Sequence, residues 1–415
     1  MQLDSLLISS SNLFCMFPNV KIKAAYFPLH QIVELSDIDQ QTFDSALLGN
    51  SLRAQLVVLP LLMHEVRHWW DHIGTLWGQK RLVAGFDAVH ARLGGNEKEF
   101  WRIQRYHRLV NADHFCEYYS ENYDLNPPDV GDKRWKWRLS CGVRFDCDGK
   151  VAEDKPIVFT QFHWGDGRPS CRVPFSVASL LETSSMSFEL GLEANLMGGL
   201  AGEEKIFETA LYKQKCLDFL YNPELAKYSV AVHCVANFLH LSDVSLAFKY
   251  ANALSWLCLN LPSSLFRSLK IPDHYQSTWG GRCQAFIDNQ DRGFAFLILI
   301  ENMVDETDDI AGWLEATALK AGLPSMPEIE QAVQIEFAEL EQQVLSGPHN
   351  DRLQWLLEEG RTVFEHFWPV PDILEAFRGM EKMPMPPILL SDMKLVQIGK
   401  KSNWTAPEVV ENWSA

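Results

Sequence analysis

The sequence predicts a mainly α fold with a small β element. Apolar residues recur at helical spacing over most of the chain, from Ser51 onward. Alternation with a hairpin signal is confined to one region, 135–165, around Asp148-Gly149. A content of 47% hydrophobic and 22% charged residues over 415 positions is that of a globular protein with a large interior.

Residues 1–48 read as an entry segment with strands in "KIKAAYF" and "QIVEL". A helix over 53–73 follows, apolar on nearly every face and therefore buried, with Pro60 marking a kink or a later start. A second helix over 97–122 ends at "NPP". In "DKRWKWRLS", Lys133, Arg134, Lys136 and Arg138 alternate with Trp135 and Trp137, which reads as an amphipathic strand entering the hairpin rather than a nucleic-acid site. Pro174 opens a helix over 174–197, closed by Gly198-Gly199. Helical patterns then cover 203–221, 223–241, 243–260, 290–305, 327–345 and 350–367. This divides the chain into a core (1–200), a helical region (201–370) and a Pro-rich, irregular C-terminal segment (371–415).

Acidic residues outnumber basic ones 54 to 37, for a net charge of −17, which argues against a nucleic-acid partner. Nine scattered cysteines match a reducing compartment, and "MQLDSLLISSSNLF" makes a poor signal peptide. The greasiest runs, "QLVVLPLLM" and "FAFLILI", are too short to span a bilayer, so the expectation is a cytoplasmic protein without membrane contact.

Within the buried helix, His64-Glu65-Val66-Arg67-His68 spells H-E-x-x-H. At about 100° per residue, His68 projects about 40° from His64 and one turn along, so both imidazoles can meet one metal ion. Glu65 falls to the flank, where a carboxylate can act as general base without ligating. Shuffling this composition yields the pattern on the order of 0.03 times. Arg67 points off the ligand face.

The segment resembles the active-site helix of the zincin metallopeptidases, a likeness confined to residues 56–78. The resemblance implies a zincin-like catalytic core with a helical extension, a Zn2+ cofactor and hydrolysis of peptide bonds. Metzincins place a glycine and a third histidine where this chain has Asp71 and Gly74, so that branch is excluded. His72 lies two turns above His64, which suits a pocket rim or a helix C-cap. Asp71 suits either a second ring N–H of a ligand histidine or the solvent end of the helix.

For a third ligand two segments compete. Glu182 stands alone among Leu180, Leu181, Thr183, Ser184 and Ser185, and this stretch resembles the third-ligand helix of gluzincin-like bacterial peptidases, although Met186 replaces the aspartate of the thermolysin type. The alternative is "NADHFCEYYSEN", with Asp113, His114, Glu117 and Glu121. Glu189 and Glu193 read as solvated. Tyr228 and His233 are the preferred oxyanion donors, ahead of Tyr118 and Tyr119. The hairpin at 137–162 either lines the cleft for an extended substrate or only covers core.

The leading expectation is a zinc peptidase (His64, His68 and Glu182 on metal, Glu65 as base) with a protein or peptide substrate and a regulatory partner. The alternatives are a helical interaction scaffold with a structural or degenerate metal site, its acidic helix at 327–345 as interface, and hydrolysis of a non-peptide bond.

Overall fold

The computed structural model describes residues 23–115, 117–126, 135–146, 148–344 and 349–399. Strands β1 (Ala24–Phe27) and β2 (Ile32–Leu35) lead into helices α1 (Gln40–Leu47), α2 (Leu52–Gly74), α3 (Leu76–Gly94) and α4 (Trp101–His114). Strands β3 (Glu121–Asn122), β4 (Lys136–Phe145), β5 (Val151–His163) and β6 (Pro169–Pro174) follow, then α5 (Val177–Gly198), α6 (Gly202–Leu220), α7 (Ala226–Phe238) and α8 (Val244–Leu259). The remainder comprises α9 (Asp273–Trp279), α10 (Gly281–Asp288), α11 (Arg292–Glu301), α12 (Ile310–Lys320), α13 (Met326–Gln342), α14 (Asn350–Phe367), α15 (Ile373–Arg378), β7 (Ile388–Leu390) and β8 (Leu395–Val396). The fold is thus mainly helical with small sheets.

Helix α2 starts where the Ser51 side chain accepts the Ala54 N–H, and it runs unbroken through Pro60. Its far half is buried on all sides, as an all-round apolar helix must be. Helix α5 packs along it, and α8 and α14 close over the pair. At the α14 crossing the backbones nearly touch: a Cβ on Gly360 would lie 2.0 Å from the Ile73 carbonyl oxygen, so only glycine fits there.

The β region is larger than a hairpin. Strands β4 and β5 pair through the Asp148-Gly149 turn, and β6 and β3 extend them to the order β3-β6-β5-β4. Pro174 ends β6 instead of opening a helix. Of the basic run, Lys133 and Arg134 lie outside the described residues, while Lys136–Arg138 belong to β4 as expected. The expected 97–122 helix breaks at Phe115, whose φ is +50°.

Of the segment 371–415, expected to be irregular, 400–415 lies outside the described residues; within 371–399, α15 is helical and β7 adds parallel to β2, giving the sheet β1-β2-β7-β8. The Trp70 indole N–H donates to the Pro384 carbonyl and ties this return to the centre of the molecule. Helices α1, α3, α9, α10 and α12 fall where no helix was read. Among the described residues no single helix is long and apolar enough to cross a membrane.

Candidate metal centre

Helix α5 approaches α2 closely because its facing side chains are small: Ser179, Thr183, Ser184 and Ser185 are all buried. The approach carries Glu182 to the two histidines of α2. Its Oε2 lies 3.6 Å from His64 Nε2 and 3.5 Å from His68 Nε2. The three donor atoms all fall within 4.8 Å of one another.

These separations are too long for hydrogen bonds. They match what two atoms about 2.1 Å from a shared ion show at tetrahedral angles, about 3.4 Å. Glu182 Oε2 is also buried without a hydrogen-bond partner, a costly state for a carboxylate unless a cation completes it. His64, His68 and Glu182 therefore form a group that could hold a metal ion.

Glu189 corrects the sequence reading. It is not solvated: the His64 Nδ1–H donates to its Oε2 at 3.0 Å, which fixes the tautomer that leaves Nε2 to ligate. Lys215 of α6 lies 3.6 Å from Glu189 and 2.6 Å from Glu193, so Glu193 is paired as well. Burial works against the His64 cation, yet the nearby Glu182 carboxylate and the bond to Glu189 outweigh it and hold its pKa well above the usual imidazole range. Burial likewise opposes ionisation of Glu189, but the His64 bond and the Lys215 charge leave its pKa lowered. Replacing Glu189 with Gln keeps the shape but weakens the acceptor; metal affinity should fall about 10- to 100-fold, as measured by competition with a chromogenic chelator.

Glu65 is buried beside the donors without joining them. Burial raises its pKa; the positive charges of His64 and His68 and the N–H of Tyr26 on β1 act in the opposite sense. Because β1 is the outer strand of its sheet among the described residues, the carboxylate sits against a strand edge.

Arg67 does point off the ligand face, into a sealed cage. Its Nε donates to Ser184 Oγ at 2.7 Å and its Nη2 lies 2.9 Å from Asp71. The rings of Phe188, Phe367 and Trp256 stand 4.5, 4.7 and 4.8 Å from the guanidinium carbon. Asp71 is therefore neither a ligand-histidine acceptor nor a solvent-facing group: it is the wholly buried counter-ion of Arg67. His72 is buried too, with its Nδ1 2.7 Å from the Tyr26 hydroxyl, and burial followed by the Arg81 charge drives its pKa down to about 3.

Two members of the competing third-ligand cluster are committed elsewhere. Asp113 accepts from Arg81 through both oxygens and from Trp77 at 3.1 Å. Glu121 pairs with Arg172 at 3.1 Å, and the Glu117 side chain lies outside the described residues. Burial and then the Lys227 charge lower the His114 pKa to about 4, and the charges of Glu182 and His68 also act on it. Lys227, on α7, escaped the sequence reading. It is buried, which pulls its pKa down to about 8, and the charge opposing that shift belongs to Glu182.

The expected oxyanion donors make contacts of their own. His233 sits 5.2 to 5.4 Å from the rings of Trp135, Phe162 and Tyr221, and its Nε2–H donates to the Leu220 carbonyl at 2.8 Å. Tyr228 rests its ring on Phe219. Tyr119 accepts the Phe145 N–H of β4, and Tyr118 packs beside it against Phe145.

Burial also lowers the His233 pKa to about 4. His72 and His233 thus stay neutral in the fold, whereas an unfolded imidazole titrates near 6.5. Their stabilisation is complete above that value and is lost as pH falls from about 6.5 toward the folded values. Between pH 7 and pH 5 each should cost about 2 kcal/mol. Urea unfolding at the two pH values checks this: His233→Gln, which can still donate to Leu220, should shrink the drop by that amount.

No protein-family model, curated protein or solved structure matches the chain.

Proposed function

We propose that the chain is a zinc-dependent metallopeptidase acting on a specific protein or peptide substrate. The observation that carries this reading is Glu182 Oε2, buried without a hydrogen bond and about equally distant from two imidazole nitrogens. Two histidines and a carboxylate also serve iron(II) oxygenases. Glu65 favours the hydrolase, since a buried, ionisable carboxylate flanking the donors is the base that hydrolysis requires.

Zinc at these donors supplies Lewis-acid polarisation of a carbonyl and brings the pKa of water to about 7. Glu65 takes the proton of the attacking water and returns it to the leaving amine. The Tyr26 N–H orients its carboxylate, and its raised pKa suits both proton transfers. Lys227 and His114 take the oxyanion role expected of Tyr228 and His233. Lys227 brings positive charge beside Glu182, and His114 is a neutral imidazole near Glu182 and His68. The outer edge of β1, adjoining Glu65, can accept an extended peptide through main-chain hydrogen bonds, which favours a peptide over a small ester.

The test uses a library of internally quenched peptides. Hydrolysis should vanish with a chelator and return with zinc. Turnover that a chelator leaves untouched would overturn the reading.

A further inference from the structure

Helix α6 lies beyond the 1–200 segment that the sequence sets apart as a core, yet one of its side chains reaches the support of the metal centre. At about 100° per residue, Tyr212, Lys215, Cys216 and Phe219 fall within an arc of about 100°. This is the face that α6 turns to the body of the protein: Cys216 is buried, and the Tyr212 hydroxyl donates to the Leu190 carbonyl of α5. On the same face the Lys215 amine stands astride two carboxylates one turn apart on α5. It donates to Glu193 Oε2 at 2.6 Å and lies 3.6 Å from Glu189 Oε1.

The two oxygens of Glu189 are thus divided between two partners. Oε2 accepts the His64 Nδ1–H at 3.0 Å, and Oε1 faces the amine. The last torsion of a glutamate is broad, so a carboxylate held at one oxygen can swing. An amine at the other oxygen, itself anchored by Glu193, restricts it to the orientation in which Oε2 meets the ring. The Lys215 side chain is 52% exposed, and ion pairs so placed add little to folding. Its direct repulsion of a metal ion is screened by the same solvent. What it contributes is placement.

We propose that Lys215 is a positioning residue of the metal centre: by holding Glu189 it fixes His64 with Nε2 turned toward Glu182, which makes α6 part of the site. The proposal rests on His64, His68 and Glu182 binding a metal ion and is independent of the reaction the ion serves.

Competition between the full chain and a chromogenic chelator, with zinc as the probe, tests it. Lys215→Met should weaken zinc binding about three- to tenfold, less than the loss of a group bonded directly to a ligand, with unchanged thermal melting of the metal-free chain. Lys215→Arg, whose fork can span both carboxylates, should bind within about twofold of wild type. In a Glu189→Gln background Lys215→Met should weaken binding no further, because the lysine acts only through that carboxylate. Zinc binding that Lys215→Met leaves unchanged or tightens overturns the proposal, and so does an equal loss in both backgrounds. A wild type that takes up no zinc would overturn the metal centre itself and this proposal with it.

Discussion

Glu65→Gln is expected to reduce peptide hydrolysis about a thousandfold while leaving the metal content unchanged. The amide has the size of the carboxylate and can still accept the Tyr26 N–H, so the local structure should persist. What it cannot do is accept a proton from water. Glu65 is not among the three donor atoms that converge between α2 and α5, so the site should keep its ion. Steady-state turnover of the best library peptide, measured beside the zinc content, separates the outcomes. Activity within tenfold of wild type would assign the base to another group. Loss of metal would make Glu65 part of the structural support.

Arg67→Ala is expected to lower the unfolding free energy by about 3–5 kcal/mol, because it strands Asp71 as an uncompensated charge in the interior. The guanidinium also fills a cage whose walls come from α5 (Phe188), α8 (Trp256) and α14 (Phe367), so truncation opens a cavity where four helices meet. Arg67→Lys should recover only part of the loss, since an ammonium lacks the planar fork that reaches Ser184 and Asp71 together. Asp71→Asn in the Arg67→Ala background should restore part of it by removing the stranded charge. Urea unfolding of the four proteins checks this. A loss below about 1 kcal/mol for Arg67→Ala would mean that the cage is not sealed from water.

The three residues that could hold a metal ion were legible because helix periodicity is a local property. His64 and His68 share a face by spacing alone, and Glu182 stood out as a lone carboxylate on a small-residue stretch. Glu189 carried a readable signal as well: seven residues after Glu182 returns to the same face within about 20°. It was read as solvent-facing because the sequence does not say how far along α5 the contact with α2 extends. The charge effects that link Lys227 and His114 to Glu182 arise from the packing of α7 and α4 on α5, which no local pattern encodes. Arg67 looked like an intruder in a greasy helix; its three aromatic neighbours are up to 300 positions away in the chain. The pairing of β2 with β7 is equally non-local, which is why the C-terminal return read as irregular. A histidine that serves a site has the same sequence signature as one that caps a backbone carbonyl in an aromatic box, and only the fold places His233 in the second setting.

We propose that the convergence of His64, His68 and Glu182 is a zinc site. Elemental mass spectrometry on protein purified without chelators tests it most directly. The expected result is about one zinc per chain, lost in both His64→Ala and Glu182→Ala. A wild-type protein that carries no metal and takes up none on reconstitution, or zinc that survives both substitutions, would contradict it.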